Sequence, residues 1–336
     1  MWIALVGTDS LRGKEIKEVL DHHHFPFEKV GFFDPDVEGE YSKLTDFRGE
    51  PRVIHSLEKN SLANFDLVFL AADKNINREF ARLAQEQNYQ AIDLSETFIT
   101  EKEIPVVVSG INDDRILKKK PPVVANPHPV TVILSHIFYS INKKFGISKA
   151  VAFILQPVSA FEESGIEELA NQSAAILSSS SLTKKVFKAQ IAFNFLSHTQ
   201  PMDEDGFSAD EKQIRMEIKR ILKDRKFPLT LSVVQAPVFH TYSIMTYLEL
   251  KEKAGIQALR NLLKKSPYFE LGSPSLSSPA SCVSVAGKDK IFIGQIKKEK
   301  SLPNSFWIWT VTDNLTRGSA LNAFEIAEKI LSASIS

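Results

Sequence analysis

The 336-residue chain has a single cysteine, Cys282, so no internal disulfide can form and the composition fits a reducing cytoplasm. It has no net charge, with 41 basic and 41 acidic side chains, and therefore no long-range field that would favour nucleic acid or an anionic membrane. It has no apolar run near the ~18 residues of a membrane span, and its opening MWIALVG reads as a strand rather than a secretion signal. What is present, 43% hydrophobic and 24% charged residues, is ordinary for a soluble globular protein. The length suggests two domains with room for a large core.

The first half alternates strands and helices. WIALVGTDSLRGKEIKEVL reads as a short apolar strand, a glycine-containing turn and an amphipathic helix. Gly7 and Gly13 stand where the outer glycines of a dinucleotide-binding turn would stand, with Asp9, Ser10 and Leu11 between them. Ser10 takes the middle position, where a side chain partly fills the space that a pyrophosphate approaches. The strand KVGFF ends at Asp34, about 20 residues after the turn, where a carboxylate accepts from a ribose 2′-hydroxyl and repels a 2′-phosphate. A bound dinucleotide would then be NAD rather than NADP. Both features also have a plain reading, as a ligand-free βα turn and as an Asp opening the DPD turn. FDLVFLAAD, from Phe65 to Asp73, is expected as a buried strand with Ala72 near the cofactor, and AIDLSETF and PVVVSGIN as two further strands around the helix NINREFARLAQEQ. This alternation predicts an α/β, Rossmann-type, parallel doubly wound domain to about residue 130. His22, His23 and His24 are adjacent, share no helix face, and read as a solvated helix end; no metal site is expected.

VVANPHPVTVIL is the pivot. A buried strand, a turn holding Asn126, Pro127 and Pro129, and a helix through Ile133, Ile137 and Ile141 follow in order. A helix start stabilises a thiolate or an oxyanion, yet this turn offers only His128 and Pro129. Beyond it, KAVAFILQPVSA, LTLSVVQAPVF, YSIMTYLEL, KIFIGQIKK and FWIWTVTD read as strands, with helices in ESGIEELANQSAAILSS and SADEKQIRMEIKRILKD. The expectation is an α+β dimerisation and substrate domain over 131–317. Phe306, Trp307 and Trp309 are either a dimer surface or core. The last helix, from Gly318 to the end, is expected to pack back on the first domain.

The run Asp313, Asn314, Leu315, Arg317, Gly318, Ala320, Asn322, Ala323 resembles the D-N-L-x-K/R-G-A-A-x-N-A segment of aspartate-semialdehyde dehydrogenases. Along nearly the whole chain, Gly7–Gly13 resembles that family's G-A-T-G-x-V-G, DLSETF its D-L-S-x-x-F-R, VVANPHPVT its I-A-N-P-N-C-S-T, LQPVS its Y-Q-A-V-S, and SVVQAPVFHTYS its R-V-P-V-x-x-G-H-S. The chain is most similar to the usg-1 type branch, homologues with degraded active sites, whose VVQAPVF, AFN and QSA segments it shares. The resemblance implies a homodimeric fold, an NADP-linked reaction through a cysteine thioacyl intermediate, a histidine acid/base, and arginines for the two anionic groups of the substrate.

Position by position those groups are replaced. The nucleophile position falls on Pro129 and the acid/base position on Tyr242. The phosphate-binding arginine falls on Ile99, the substrate-binding arginine on Lys219, and a nearby basic position on Gln213. Gln156 and Asn126 are retained. Ala160, Phe161 and Glu162 stand where a small Gly-Ala-Gly would border the nicotinamide, and Asn314 completes the expected cofactor contacts. The expectation is a family member without the reaction, a binding or regulatory homodimer in which dinucleotide binding is weak or lost. The alternatives are an active NAD(P)-dependent oxidoreductase of amino-acid biosynthesis, or new chemistry at His128, His240 and Tyr242, with His240 sharing a strand face with Tyr242. Cys282, after a Ser/Pro-rich loop, reads either as a small buried hydrophobe or as a displaced nucleophile.

Overall fold

A computed structural model describes residues 1–37, 43–272 and 279–335. The chain divides into two compact units, Met1–His128 with Ser319–Ser336, and Pro129–Gly318.

In the first unit the elements are β1 (Trp2–Val6), α1 (Leu11–His22), β2 (Lys29–Asp34), β3 (Lys43–Phe47), β4 (Glu50–Ser56), β5 (Leu67–Leu70), α2 (Lys74–Gln87), β6 (Gln90–Asp93), α3 (Asp114–Leu117), β7 (Val123–Ala125) and the C-terminal helix Leu321–Ile335. The seven strands lie in the order β3-β4-β2-β1-β5-β6-β7, all parallel except the edge strand β3. Numbered along the chain, the six parallel strands run third, second, first, fourth, fifth, sixth, the order of dinucleotide-binding sheets. The order reverses between β1 and β5, so their carboxyl ends open a crevice. Ile3, Leu5, Phe32, Phe69, Ile92 and Val124 of the sheet pack with Ile16 and Leu20 of α1 and with Phe324, Ile326 and Ile330 of the C-terminal helix.

Three expected strands are shorter than the apolar runs. FDLVFLAAD is β-structured only over Leu67–Leu70, because Asp73 caps α2, its carboxylate accepting from the amides of Asn75 and Ile76 at 2.8 and 3.2 Å. AIDLSETF leaves the sheet after Asp93, whose buried carboxylate accepts from the Ser95 and Thr97 amides at 3.1 and 2.8 Å and folds the segment into a turn. PVVVSGIN makes only an isolated bridge from Val106 to Ala125, since Asn112 takes its backbone instead, at Val108 N and Val106 O, both 2.9 Å. The β3–β4 hairpin was not expected. Its turn holds Arg48 and Gly49, both with positive φ (56° and 71°), a two-residue geometry usually announced by Asn-Gly rather than Arg-Gly.

The second unit holds α4 (Pro129–Phe145), β8 (Ile147–Gln156), α5 (Glu162–Leu177), α6 (Ala209–Ile221), β9 (Leu229–Gln235), β10 (Tyr242–Leu250), α7 (Ile256–Lys264), β11 (Phe269–Leu271), α8 (Cys282–Val285), β12 (Ile291–Lys298) and β13 (Ser305–Thr312). Its mixed sheet runs β11-β12-β13-β10-β8-β9. Ile133, Ile137 and Ile141 of α4, Ile214 and Ile218 of α6, and Leu259 and Leu263 of α7 pack on the sheet's inner face. The pleat separates the three aromatics of FWIWTVTD. Phe306 points into this core, whereas Trp307 and Trp309 lie on the outer face, Trp307 against Tyr247 with ring centroids 5.0 Å apart.

Candidate functional site

In the first unit the glycine turn sits at the sheet's reversal point. Gly7 has φ +81°, and a Cβ there would lie 2.4 Å from Ala72 N; one on Gly13 would lie 2.0 Å from Gly7 O. Both glycines are therefore required by the packing of the turn against β5 and against itself, with or without a ligand. Ser10 is the N-cap of α1 and turns inward: its hydroxyl contacts the carbonyls of Gly7 and Ala71 at 2.9 Å and accepts from Gly13 N at 2.9 Å. Asp34 is buried, accepts from Asp9 N at 3.2 Å, and burial holds its carboxyl above the usual range. Asp9 pairs with Lys43. Leu11 begins α1.

Asn126 is buried beyond β7. Its side-chain oxygen accepts from Asn322 of the C-terminal helix at 2.7 Å, and Asn322 also donates to Val107 O (3.0 Å) and accepts from Ser109 N (2.9 Å). Asn322 was quoted above only as part of a motif; its work is to tie the turn to its neighbouring backbone. Ile99 is buried apolar surface.

In the second unit Pro129 is the first residue of α4, a position where a missing N–H costs nothing. Its ring is packed on Gly318, where a Cβ would come within 2.8 Å of Pro129 Cβ. One turn on, the buried Glu217 carboxylate accepts from Thr131 Oγ1 at 2.5 Å and, more distantly, from Gln213 at 3.4 Å. Lys219 is partly buried on the same helix.

Gln156, Tyr242 and Gln235 form one buried network. Tyr242 donates its hydroxyl to Gln156 Oε1 at 3.3 Å, Gln156 Nε2 donates to Gln235 Oε1 at 3.2 Å, and Gln235 Nε2 returns to Gln156 O at 3.0 Å. Gln235 was missed, although in the resemblance drawn above it falls at the arginine of the quoted R-V-P-V run. Gln156 and Gln235 also line a small polar cleft of about 20 Å³, bordered by Ser197–Gln200 and the start of α6.

One expectation changes. His240 does not share a strand face with Tyr242, because β10 starts only at Tyr242 and the intervening Thr241 has φ +75°, which breaks the alternation. Cys282 stands at 3.4 Å from Ser243 Oγ, on the face of the sheet opposite to Tyr242. The Ser/Pro-rich run before it falls partly on residues 273–278, outside the described residues. Asn314 is buried, accepting from Thr241 N (3.0 Å) and sharing a hydrogen bond with Ser159 Oγ (3.1 Å), so its amide braces the turn before β10. Phe161 meets Phe187 edge to face at 5.0 Å, and Glu162 follows with φ +57°. His128 is buried in the first unit.

Residues 2–119 match the family model for the semialdehyde dehydrogenase NAD binding domain, and residues 140–317 that for the semialdehyde dehydrogenase dimerisation domain. An aspartate-semialdehyde dehydrogenase of Aquifex aeolicus is 27% identical over 333 residues, covering 98% of this chain and 97% of its own. Among solved structures, a probable aspartate-semialdehyde dehydrogenase from Pseudomonas aeruginosa matches with TM-score 0.91 at 25% identity, and aspartate semialdehyde dehydrogenase II from Vibrio cholerae, complexed with ASA, with TM-score 0.92 at 24% identity. Each covers 98% of both chains.

Proposed function

Because the chain belongs to the semialdehyde dehydrogenase family, we propose that it keeps the family's scaffold without the family's reaction and acts as a non-catalytic binding or regulatory homodimer. The observation that carries this reading is the head of α4. The position that should hold a thiolate holds a proline ring seated on Gly318. The rest supports it. A phenol with an ordinary pKa of ~10 stands in for the acid/base, and it already donates to Gln156. Gln235, Gln213 and Ile99 leave no fork of guanidinium groups for a dianionic substrate.

The residues of the glycine turn fit the ribose end of a dinucleotide better than its phosphates. Asp34 ends β2, the position at which a carboxylate of a dinucleotide-binding fold takes a ribose hydroxyl, which supports NAD over NADP. Asp9 puts a carboxylate next to the helix start, and Ser10 already occupies the Gly13 amide, so pyrophosphate binding is weakened. A bound nicotinamide would supply a hydride acceptor; this chain's own contribution would be to hold the ribose. The homodimer is read onto the outer face of β8, β10 and β13, where Phe153 and Trp307 are exposed.

The intact dinucleotide-type strand order favours a second reading, an NAD(P)-dependent oxidoreductase acting on an aldehyde or acyl phosphate of amino-acid biosynthesis. That reading requires a nucleophile, and Cys282 faces the wrong side of the sheet. A covalent trap tests the choice: the protein is incubated with aspartate semialdehyde and NAD or NADP, without phosphate, and its intact mass measured. No acyl adduct is expected. An adduct that disappears in Cys282→Ser would reinstate the oxidoreductase reading.

A further inference from the structure

Residues 183–200 contain no helix or strand and touch the sheet of the second unit through one isolated bridge, in which the backbones of Leu196 and Gln235 exchange hydrogen bonds of 3.0 and 2.9 Å. Its far end is tied to α6 by Gln200, which donates to Asp210 at 2.6 Å. Its first half is held by two buried side chains one turn apart on α5. Glu168, 4% exposed, accepts from three consecutive amides: Lys185 N and Val186 N at 2.6 Å and Phe187 N at 3.1 Å. Gln172, fully buried, accepts from Ile191 N (2.7 Å) and Ala192 N (3.2 Å) and donates to Thr183 O (2.7 Å) and Ala189 O (3.1 Å).

We propose that residues 183–200 are a strap that closes the cleft over Gln156 and Gln235, with Glu168 and Gln172 as its latch. The far end of the strap, Ser197–Gln200, is the wall of that cleft. The bridge at Leu196 lies on the residue whose side chain holds Gln156. Lifting the strap therefore opens the cleft by breaking the Leu196–Gln235 bridge and the Gln200–Asp210 contact, while Gln235 stays paired with β8. The latch suits this because of how it is built. A carboxylate held by a run of backbone amides is strong while closed. Its rupture breaks no helix and no sheet ladder, so opening is local and leaves the core of the unit folded. Phe187 and Ile191 dock between Val158 and Leu169, a small apolar cluster apart from the main core, which gives the closed state a seat of its own. The proposal concerns access to the cleft and holds whether or not the chain catalyses the family reaction.

The test places a reporter thiol inside the cleft. Val233 lines it and is partly buried, so Val233→Cys is made with Cys282→Ser as background, and alkylation by iodoacetamide is timed. Adding Glu168→Gln, which keeps the shape but turns an amide group toward the three backbone donors, is expected to speed alkylation about tenfold or more. Trypsin should then cut first at Lys184, Lys185 or Lys188, which are exposed on the strap. Gln172→Leu is the second latch variant should Glu168→Gln not fold. Leu259→Ala, in the main core on α7, serves as a control matched for lost thermal stability. Alkylation that rises no more in either latch variant than in Leu259→Ala, or tryptic cleavage that begins elsewhere, would overturn the strap.

Discussion

The two units treat their polar side chains differently. In the first, Asp93, Asn112 and Asn322 grip backbone, Asn126 braces Asn322, and the glycines of the turn are fixed by contact with their own unit. In the second, the residues that grip backbone, Glu168, Gln172 and Asn314, have the same character, but on the proposed reading the positions that face a reactant in the family fall on Pro129, Tyr242, Gln213 and Gln235. The side chains that hold backbone fit their surroundings closely in both units, and Tyr242, Gln156 and Gln235 are joined by hydrogen bonds to one another.

The sharpest way to break that comparison is through the first unit's turn. Gly7→Ala combines a left-handed φ with an overlap at Ala72 N and is expected to cost about 3 kcal/mol or more in urea unfolding. A neutral result would mean that the turn tolerates side chains and that its glycines answer to a ligand. Next, Asn322→Ala strands the Ser109 amide, the Val107 carbonyl and Asn126, and should cost about 2–3 kcal/mol. Asn314→Ala, its counterpart in the second unit, should cost about the same. A much smaller loss there would show that the second unit has relaxed its scaffold as well as its chemistry.

The pH dependence is smaller and belongs to the second unit. His136 is buried and stacked on Tyr268 at 3.9 Å; burial, helped by the nearby Arg317 guanidinium, holds its imidazole well below the usual value. The native state leaves it neutral while the unfolded chain takes up a proton below about pH 6.5. Stability from this group is thus present above that pH and falls as the pH drops below it, by up to about 1.4 kcal/mol per pH unit. His136→Gln should flatten that slope in denaturation curves between mildly acid and neutral pH. The smallest effect sharpens the contrast. Tyr242→Phe removes the bond to Gln156 and should cost about 1 kcal/mol.

Much of this was legible in the residues. Periodicity placed α1, α2, α4, α5 and α6 and most long strands, since each carries an apolar face toward the interior of its own unit. Strand ends were not legible where a polar side chain claims the backbone: Asp73, Asp93 and Asn112 each stop a run that hydrophobicity alone would continue. The hairpin at Arg48-Gly49 escaped because its left-handed arginine carries no turn signal, although its guanidinium donates to the carbonyls of Leu20 and Phe25 at 3.3 Å. At the site, the motif positions set Pro129 and Tyr242 against the family's nucleophile and acid/base, which is the basis of the proposed function. The pairing of Gln156 with Gln235 was not legible, because it joins β8 to β9 across 79 residues of sequence.

The direct test of the central claim is turnover. The purified chain and its Aquifex aeolicus relative are given aspartate semialdehyde, phosphate and either NAD or NADP under the same conditions, and reduced nucleotide is followed. The account predicts a rate at least about 10⁴-fold below the relative's, as expected when nucleophile and base are both gone. A rate within about tenfold of the relative's, abolished by Tyr242→Phe or Cys282→Ser, would contradict it and mean that the site was rebuilt rather than emptied.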